Sequence, residues 1–319
     1  MNGTTDNLGG NLVFLVSQPR AGSTLLQRIL GGHPQIHTTS EPWFMLAPCY
    51  ALKTEGHWAD YEAGGWARLA RDEFLKGIGG REVHVRGIRE MAHSVYRCAL
   101  AGSGKNRFLD KTPRYYAILP ELAEVFPAAR FVILLRNPLA VLCSVVRTWV
   151  QTHWERMPSY RDDLLKAPGL LARGIEILQE RGQVRVLRYE DLVADPATQV
   201  HGLCDWLGVP FVPAMLEYGK GAAPAFAFGD PQGIQGHAAA DASHTARWTD
   251  DIRDATLWRF CSDYLQHLER DVPGLLGYDR TALHAALAPH RPSAWRAKLG
   301  RSLDGVLKAN VQLPGAGPR

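Results

Sequence analysis

Four short stretches hold the side chains able to do chemistry in this sequence. The first is Pro19-Arg20-Ala21-Gly22-Ser23-Thr24. It places a guanidinium, a glycine and two hydroxyls where a helical pattern begins. A helix start offers unpaired N–H groups and the positive end of its dipole, so it favours an anion. Against the phosphate-loop template G-x-x-x-x-G-K-[ST], Ser17 stands for the first Gly and Ser23 for the Lys. Gly22 and Thr24 are kept, and Arg20 supplies the cation. An ordinary strand-to-helix turn is the other reading of this stretch. The second stretch is Ser40-Glu41-Pro42, in which Glu41 is either a base at a strand end or a first-turn acid between a Ser N-cap and a helix-starting Pro. The third is Asp110-Lys111-Thr112-Pro113, where Lys111 either reaches the anion crevice or sits in a surface turn. The fourth is Arg136-Asn137-Pro138 with Ser144 on the helix that follows. It delivers a cation and a hydroxyl where a nucleotide hydrolase would deliver a metal-binding acid.

The elements that must position these groups follow from hydrophobic periodicity. Leu12 to Val16 is a continuous apolar run, the pattern of a strand buried on both faces. Leu25, Leu26, Ile29 and Leu30 then recur at helical spacing, and Gly31-Gly32-His33-Pro34 stops the helix. Short strands are predicted at 35–39 and at Phe108-Leu109. Ala129 to Leu135 is the clearest buried strand, followed by a helix through Val141, Leu142, Val145 and Val146. Leu164 to Glu180 reads as one long helix. Val184 to Leu187 reads as a strand ending in Arg188-Tyr189-Glu190-Asp191-Leu192, and Val200 to Leu207 as a helix closed by Gly208. Strand, loop and helix repeated in this way predict an α/β fold: P-loop-like, three-layered, with a central, mainly parallel sheet and long helical insertions. Residues 43–105 form the longest insertion. Its Trp43, Phe44, His57, Trp58 and Trp66 make either a lid or acceptor-side wall, or simply core. Trp58, Tyr61, Trp66, Leu69, Ala70, Phe74 and Leu75 fit one amphipathic helix within it. Residues 219–247 are rich in Gly, Ala and Pro and read as a functional or disordered loop.

Composition bounds the rest. The chain has 319 residues, 46% hydrophobic and 21% charged, and no apolar run approaches a membrane span. Residues 1–10 are polar, are expected to be disordered, and lack the pattern of a secretory signal. Cys49, Cys98, Cys143, Cys204 and Cys261 show no metal or redox spacing and read as reduced core residues, which suggests the cytoplasm. The net charge is +4, but residues 281–319 hold six basic residues against one acid. The body is therefore near neutral, which argues against a nucleic-acid partner. Within that basic tail Trp295, Leu299, Leu303 and Leu307 recur every four residues. They predict an amphipathic helix over 291–310 that packs on the body or on a second copy, or lies on an anionic membrane. His33, His37, His57, His93, His153 and His237 are rival bases, His237 the most noteworthy because of its Gly-rich loop.

Together these pieces resemble the sulfotransferases that use 3′-phosphoadenosine 5′-phosphosulfate (PAPS), in their bacterial and Golgi-type branch. The family's P-R-S-G-T-[ST] loop is matched at 19–24, with Ala21 as a mild departure. Its R-[ND]-P segment with a Ser eight residues after the Arg is matched by Arg136 and Ser144, and its K-[ST]-P by Lys111-Thr112-Pro113. R-Y-E-D-L recurs at 188–192 and [RK]-W at Arg247-Trp248. The resemblance covers about residues 11–279, implies a sulfotransferase domain over 11–280, and implies roles. Pro19, Arg20, Ala21, Gly22, Ser23 and Thr24 would hold the 5′-phosphosulfate. Arg136 and Ser144 would hold the 3′-phosphate, with Tyr189, Arg247 and Trp248 as further nucleotide contacts. Glu41 would be the general base, and Lys111 or Arg20 would stabilise the leaving 3′,5′-ADP. PAPS would be the co-substrate, with no metal, and the acceptor a small molecule or glycan. The rival classes are a small-molecule or nucleoside kinase using ATP and Mg²⁺, and a nucleotide-binding module without catalysis.

Overall fold

The computed structural model describes residues 8–54, 65–220, 245–268, 272–293, 295 and 300–307. In chain order, β1 (Leu12–Ser17) leads into α1 (Ser23–Gly31) and β2 (Ile36–Thr38). Three helices follow: α2 (Leu46–Tyr50), α3 (Trp66–Lys76) and α4 (Arg81–Leu100). Then come β3 (Arg107–Lys111), α5 (Leu119–Val125), β4 (Arg130–Leu135), α6 (Pro138–Val145), α7 (Arg161–Leu165), α8 (Ala167–Glu180), β5 (Val184–Arg188), α9 (Tyr189–Ala194) and α10 (Pro196–Leu207). The strands form one sheet in the order β2-β3-β1-β4-β5, and every pairing is parallel. Leu15 lies beside Lys111, Ser17 beside Leu134, and Leu135 beside Arg188. Because all five strands run the same way, their C-terminal ends share one edge. That edge receives Glu41, Lys111, Arg136 and Tyr189 around the loop that follows β1.

The alternation of side chains along a strand explains why β1 and β4 are apolar throughout. Leu12, Phe14 and Val16 enter one core together with Phe131, Ile133 and Leu135. Val13 and Leu15 enter the other with Val132, Leu134 and the α1 residues Leu26, Ile29 and Leu30. The sheet is thus the middle of three layers. α1 and α10 cover one face, and α4, α5, α6 and α8 the other.

Several sequence expectations need correction. The helix over Leu164–Glu180 breaks at Lys166 into α7 and α8. Pro168 has no N–H, and its ring would clash with the carbonyl four residues earlier, so one helix cannot run through it. α3 begins only at Trp66 and has no buried residue. Its Trp66, Leu69 and Phe74 face outward, while Arg71 of the same helix donates to the Ala51 carbonyl. Residues 55–64, with His57, Trp58 and Tyr61, lie outside the described residues, as do 221–244 of the Gly-rich loop. Cys98 is exposed, whereas the other four cysteines are buried and all five are unbridged.

At the termini, residues 1–7 lie outside the described residues, while Leu8 accepts from the Ala128 N–H at 2.9 Å and so sits on the body. The helix predicted over 291–310 is not continuous. Residues 291–293 are non-helical and a short helix spans Leu303–Leu307. Its Leu303 and Leu307 are buried, with the Leu303 N–H on Asp263 Oδ2 at 2.9 Å. A Cβ at Gly300 would lie 2.7 Å from the Ala255 carbonyl oxygen. The chain there is thus pressed against helix Ala255–His267 rather than wound into a helix of its own.

Candidate active site

The loop between β1 and α1 is built by two left-handed residues, Arg20 at φ 72° and Gly22 at φ 97°. The Ala21 N–H closes the turn on the Gln18 carbonyl at 3.1 Å, with Pro19 and Ala21 buried beneath it. Among the described residues no side chain caps α1 and its first turn holds no acid. The N–H groups of Ser23 and Thr24 therefore open the helix unopposed by carboxylates. A Cβ on Gly22 would fall 2.5 Å from Cδ2 of Tyr189, so the tyrosine ring rests on bare glycine backbone.

The end of β4 brings the second cation. Arg136 donates from Nη1 to the Arg20 carbonyl at 3.0 Å and lies over the Tyr189 ring at 4.2 Å. Arg20 donates from Nε to Ser144 Oγ at 3.2 Å and from Nη2 to Thr148 Oγ1 at 3.3 Å. Its guanidinium also lies 5.3 Å from the Trp149 ring centre. Burial pulls the Arg136 guanidinium below its ordinary value. Tyr189 and Glu190 oppose that shift, and the neighbouring cations Arg147 and Arg20 add to it. Asn137 caps α6 by accepting from the Leu139 N–H at 2.9 Å, and its own N–H donates to Glu190 Oε1 at 2.9 Å. The Tyr278 hydroxyl holds the other Glu190 oxygen. So Arg188-Tyr189-Glu190 contributes a ring under Arg136 and a carboxylate that fixes the turn carrying it.

On the other side of β1, Lys111 Nζ meets Glu41 Oε1 at 2.8 Å, with Lys111 only 1% exposed. The Trp43 indole N–H donates to Glu41 Oε2 at 3.1 Å. Trp43 takes φ 56° and lies against Arg114, which pairs with Asp163. The structure thus joins Glu41 to Lys111. It gathers Arg20, Gly22, Arg136, Ser144 and Tyr189 into one cluster. Arg247 and Trp248 lie on the short helix Arg247–Asp251, with Trp248 in the core and Arg247 exposed. That helix packs on α6, which carries Ser144, and an ion pair between Asp251 and Arg147 adds to the contact.

The rival histidines divide by contact. His33 is fully buried, accepts from the Gln35 N–H, and meets the Pro210 carbonyl at 2.9 Å, so it clips a loop. His153 pairs with Glu155 at the surface. Burial lowers the His37 imidazole below its ordinary value. His57 and His237 lie outside the described residues. Sequence reasoning named Trp43 as an acceptor-side aromatic and Glu190 within a motif, without the contacts that give them a role. It missed Thr148, which follows α6 in a π-turn that only the fold reveals. Among the described residues no cluster of three His, Cys, Asp or Glu is placed to hold a metal ion.

The sequence profile of the Sulfotransferase family matches residues 13–213. This chain belongs to that family. The matched stretch of this sulfotransferase-family chain contains the 19–24 loop, Glu41, Lys111, Arg136, Ser144 and Tyr189, and stops short of Arg247 and Trp248. Nodulation protein NoeE of Sinorhizobium fredii is 35% identical over 217 residues, 62% of this chain and 50% of that protein. Protein-tyrosine sulfotransferase 1 of Danio rerio is 24% identical over 65% of this chain and 56% of its own length. The chain thus spans about half the length of these curated relatives. Among solved structures, the sulfotransferase domain from the curacin biosynthetic pathway matches with a TM-score of 0.53 at 21% identity. It covers 84% of this chain and 97% of that domain. The sulfotransferase domain of the Synechococcus PCC 7002 olefin synthase gives 0.51 at 23%, with 84% and 94% covered. Both show the fold.

Proposed function

We propose that this sulfotransferase-family chain moves a sulfuryl group from PAPS to a hydroxyl or amine acceptor. The observation that carries the reading is the convergence of Arg20, Arg136 and Ser144 beside the Gly22 turn, with the Glu41–Lys111 pair at the adjoining strand end. The donor set fits a nucleotide with two separate anionic groups. Arg136 is buried and crowded by Arg20 and Arg147, and like charges held together are stabilised by an anion placed between them. Arg20, with the N–H groups and hydroxyls of Ser23 and Thr24, would hold the 5′-phosphosulfate. Arg136 and Ser144 would hold the 3′-phosphate, a geometry that suits the planar guanidinium.

PAPS, when bound, supplies a sulfuryl group whose bond to the bridging oxygen breaks as a bond to the acceptor oxygen or nitrogen forms. Glu41 takes the acceptor's proton. Each of its oxygens has one donor, Lys111 or Trp43, and keeps a lone-pair site for another. Lys111 holds a buried cation at the edge where charge develops on the leaving oxygen. Trp43 gives the acceptor side an aromatic face, suited to a sugar ring or a phenol. The tyrosine named in the zebrafish relative falls in the second class. The unbridged cysteines suit a reducing compartment, so we read the enzyme as cytoplasmic; among the described residues no helix is long and apolar enough to cross a membrane. A kinase reading is not favoured. Ser23 stands where the phosphate-loop Lys would be, and the residue that follows β4 is Arg136 rather than an acid.

Thermal stabilisation by 3′,5′-ADP, compared with ATP·Mg²⁺, tests the donor. Millimolar 3′,5′-ADP is expected to raise the melting temperature of the wild type and to lose that effect in Arg136→Ala. A response to ATP·Mg²⁺ alone would overturn the reading.

A further inference from the structure

Asp110 lies one residue before Lys111 and is buried, 1% exposed. Three hydroxyls converge on its carboxylate. Tyr96 from α4 donates to Oδ2 at 2.7 Å, Tyr115 donates to Oδ2 at 3.1 Å, and Thr112 donates to Oδ1 at 2.8 Å. A hydroxyl has one proton to give. Tyr115 and Thr112 spend theirs on Asp110 and so present lone pairs elsewhere. The Tyr115 oxygen accepts from the Met45 N–H at 3.0 Å, and the Thr112 oxygen lies 3.5 Å from the Trp43 N–H. Those two N–H groups belong to the segment that carries Glu41. Within it, Trp43 holds the left-handed φ of 56° and its indole holds Glu41 Oε2. A non-glycine residue holds that backbone conformation only where its surroundings impose it.

Adjacent residues of β3 therefore grip this segment at two points. Lys111 takes the Glu41 carboxylate, and Asp110 takes the backbone behind it through two hydroxyls. We propose that Asp110 is a positioning residue: by fixing the proton direction of Tyr115 and Thr112 it locks residues 43–45 and aims Glu41. This rests on the reading of Glu41 as the base.

The direction of those protons depends on Asp110 being an acceptor at both oxygens. Burial pushes its carboxyl up from 3.8 to about 6, while Tyr96, Thr112, Tyr115 and Lys111 pull the other way. Burial also raises the Tyr96 and Tyr115 phenols, which stay protonated donors near neutrality. Lys111 and Thr112, on its own strand end, complete the groups that face it. A proton on Asp110 turns one oxygen into a donor and forces a hydroxyl to reverse toward a backbone N–H. Turnover is therefore expected to fall on the acid side of about 6. Stability moves in the opposite sense. The folded state binds this proton more tightly than the unfolded chain, so the group's contribution to stability falls as pH rises from 3.8 to about 6.

Asp110→Asn imitates the protonated state at every pH. The test compares it with wild type, Glu41→Gln and Tyr115→Phe in three readouts. These are 3′,5′-ADP affinity, amide hydrogen exchange of residues 41–46, and release of 3′,5′-ADP from PAPS with water as the acceptor. Asp110→Asn and Tyr115→Phe are expected to bind 3′,5′-ADP within about twofold of wild type and to exchange the 43–45 amides at least tenfold faster. Their kcat should fall on the order of 10²-fold with little change in KM for PAPS, and Asp110→Asn should lose the acid limb near pH 6. Wild-type kcat and pH profile in Asp110→Asn, alongside a loss in Glu41→Gln, would overturn the proposal. If the wild type does not bind 3′,5′-ADP, the donor reading falls by itself and hydrogen exchange decides the positioning. Unchanged protection of 43–45 in both variants overturns it there too. Tyr115→Phe keeps the ring in the core, so it carries the test if Asp110→Asn does not fold.

Discussion

Gly22 is held by its own backbone angle and by one neighbour, Tyr189, which leaves no room for a side chain. Its φ of 97° is strained for any residue with a Cβ, and that Cβ would sit 2.5 Å from the Tyr189 ring. Tyr189 in turn supports Arg136. Gly22→Ala should therefore cost about 1–3 kcal/mol of stability and weaken 3′,5′-ADP by displacing Arg136. Urea unfolding and titration calorimetry measure the two effects separately. Wild-type affinity in the variant would mean that Tyr189 does not transmit the loop's shape to Arg136. At this scale the sequence displays the residue types but not their partners. Arg20 and Ser144 are both legible as anion ligands, yet their 3.2 Å contact joins positions far apart in the chain. Trp43 reads as one aromatic among several until its indole is seen on Glu41.

At the scale of elements, the site is assembled by strand ends and by the turns that leave them. The turn after β4 is held by Glu190 at the start of α9, through the Asn137 N–H. Glu190→Ala should leave that N–H without its acceptor, at about 1–3 kcal/mol, and weaken 3′,5′-ADP binding severalfold because Arg136 sits one residue away. The Tyr278→Phe variant removes the hydroxyl from the other Glu190 oxygen and should show a smaller effect. Equal loss in both, by calorimetry, would move the weight from the Asn137 turn to Tyr278. The break between α7 and α8 was legible in principle. Pro168 marks it, and the apolar period across Leu164–Leu178 hides it.

Across the whole molecule, the C-terminal segment closes the core rather than standing apart from it. Leu303, Val306 and Leu307 are buried against helix Ala255–His267 and the turn Trp154–Tyr160, and His267 reaches Asp304 at 2.7 Å. Ending the chain at residue 299 should lower stability by roughly 3 kcal/mol or more, since each such side chain is worth about 1.5–3 kcal/mol when fully buried. A midpoint unchanged in chemical denaturation would show that these contacts contribute nothing.

The sequence left Lys111 open between the anion crevice and a surface turn, but hydrophobic periodicity by itself determined the β-α alternation, the mainly parallel sheet and the buried strands that Arg20 and Arg136 follow. These are local properties: a run buried on both faces must be apolar throughout, and a loop that meets an anion must offer glycine and cations. The order β2-β3-β1-β4-β5, the outward face of α3 and the return of residues 303–307 were decided only by tertiary structure. So was the ring of hydroxyls on Asp110. Each depends on which distant surfaces meet, on charges such as Arg71 finding a carbonyl across the chain, and on buried polar groups finding partners that no local pattern names.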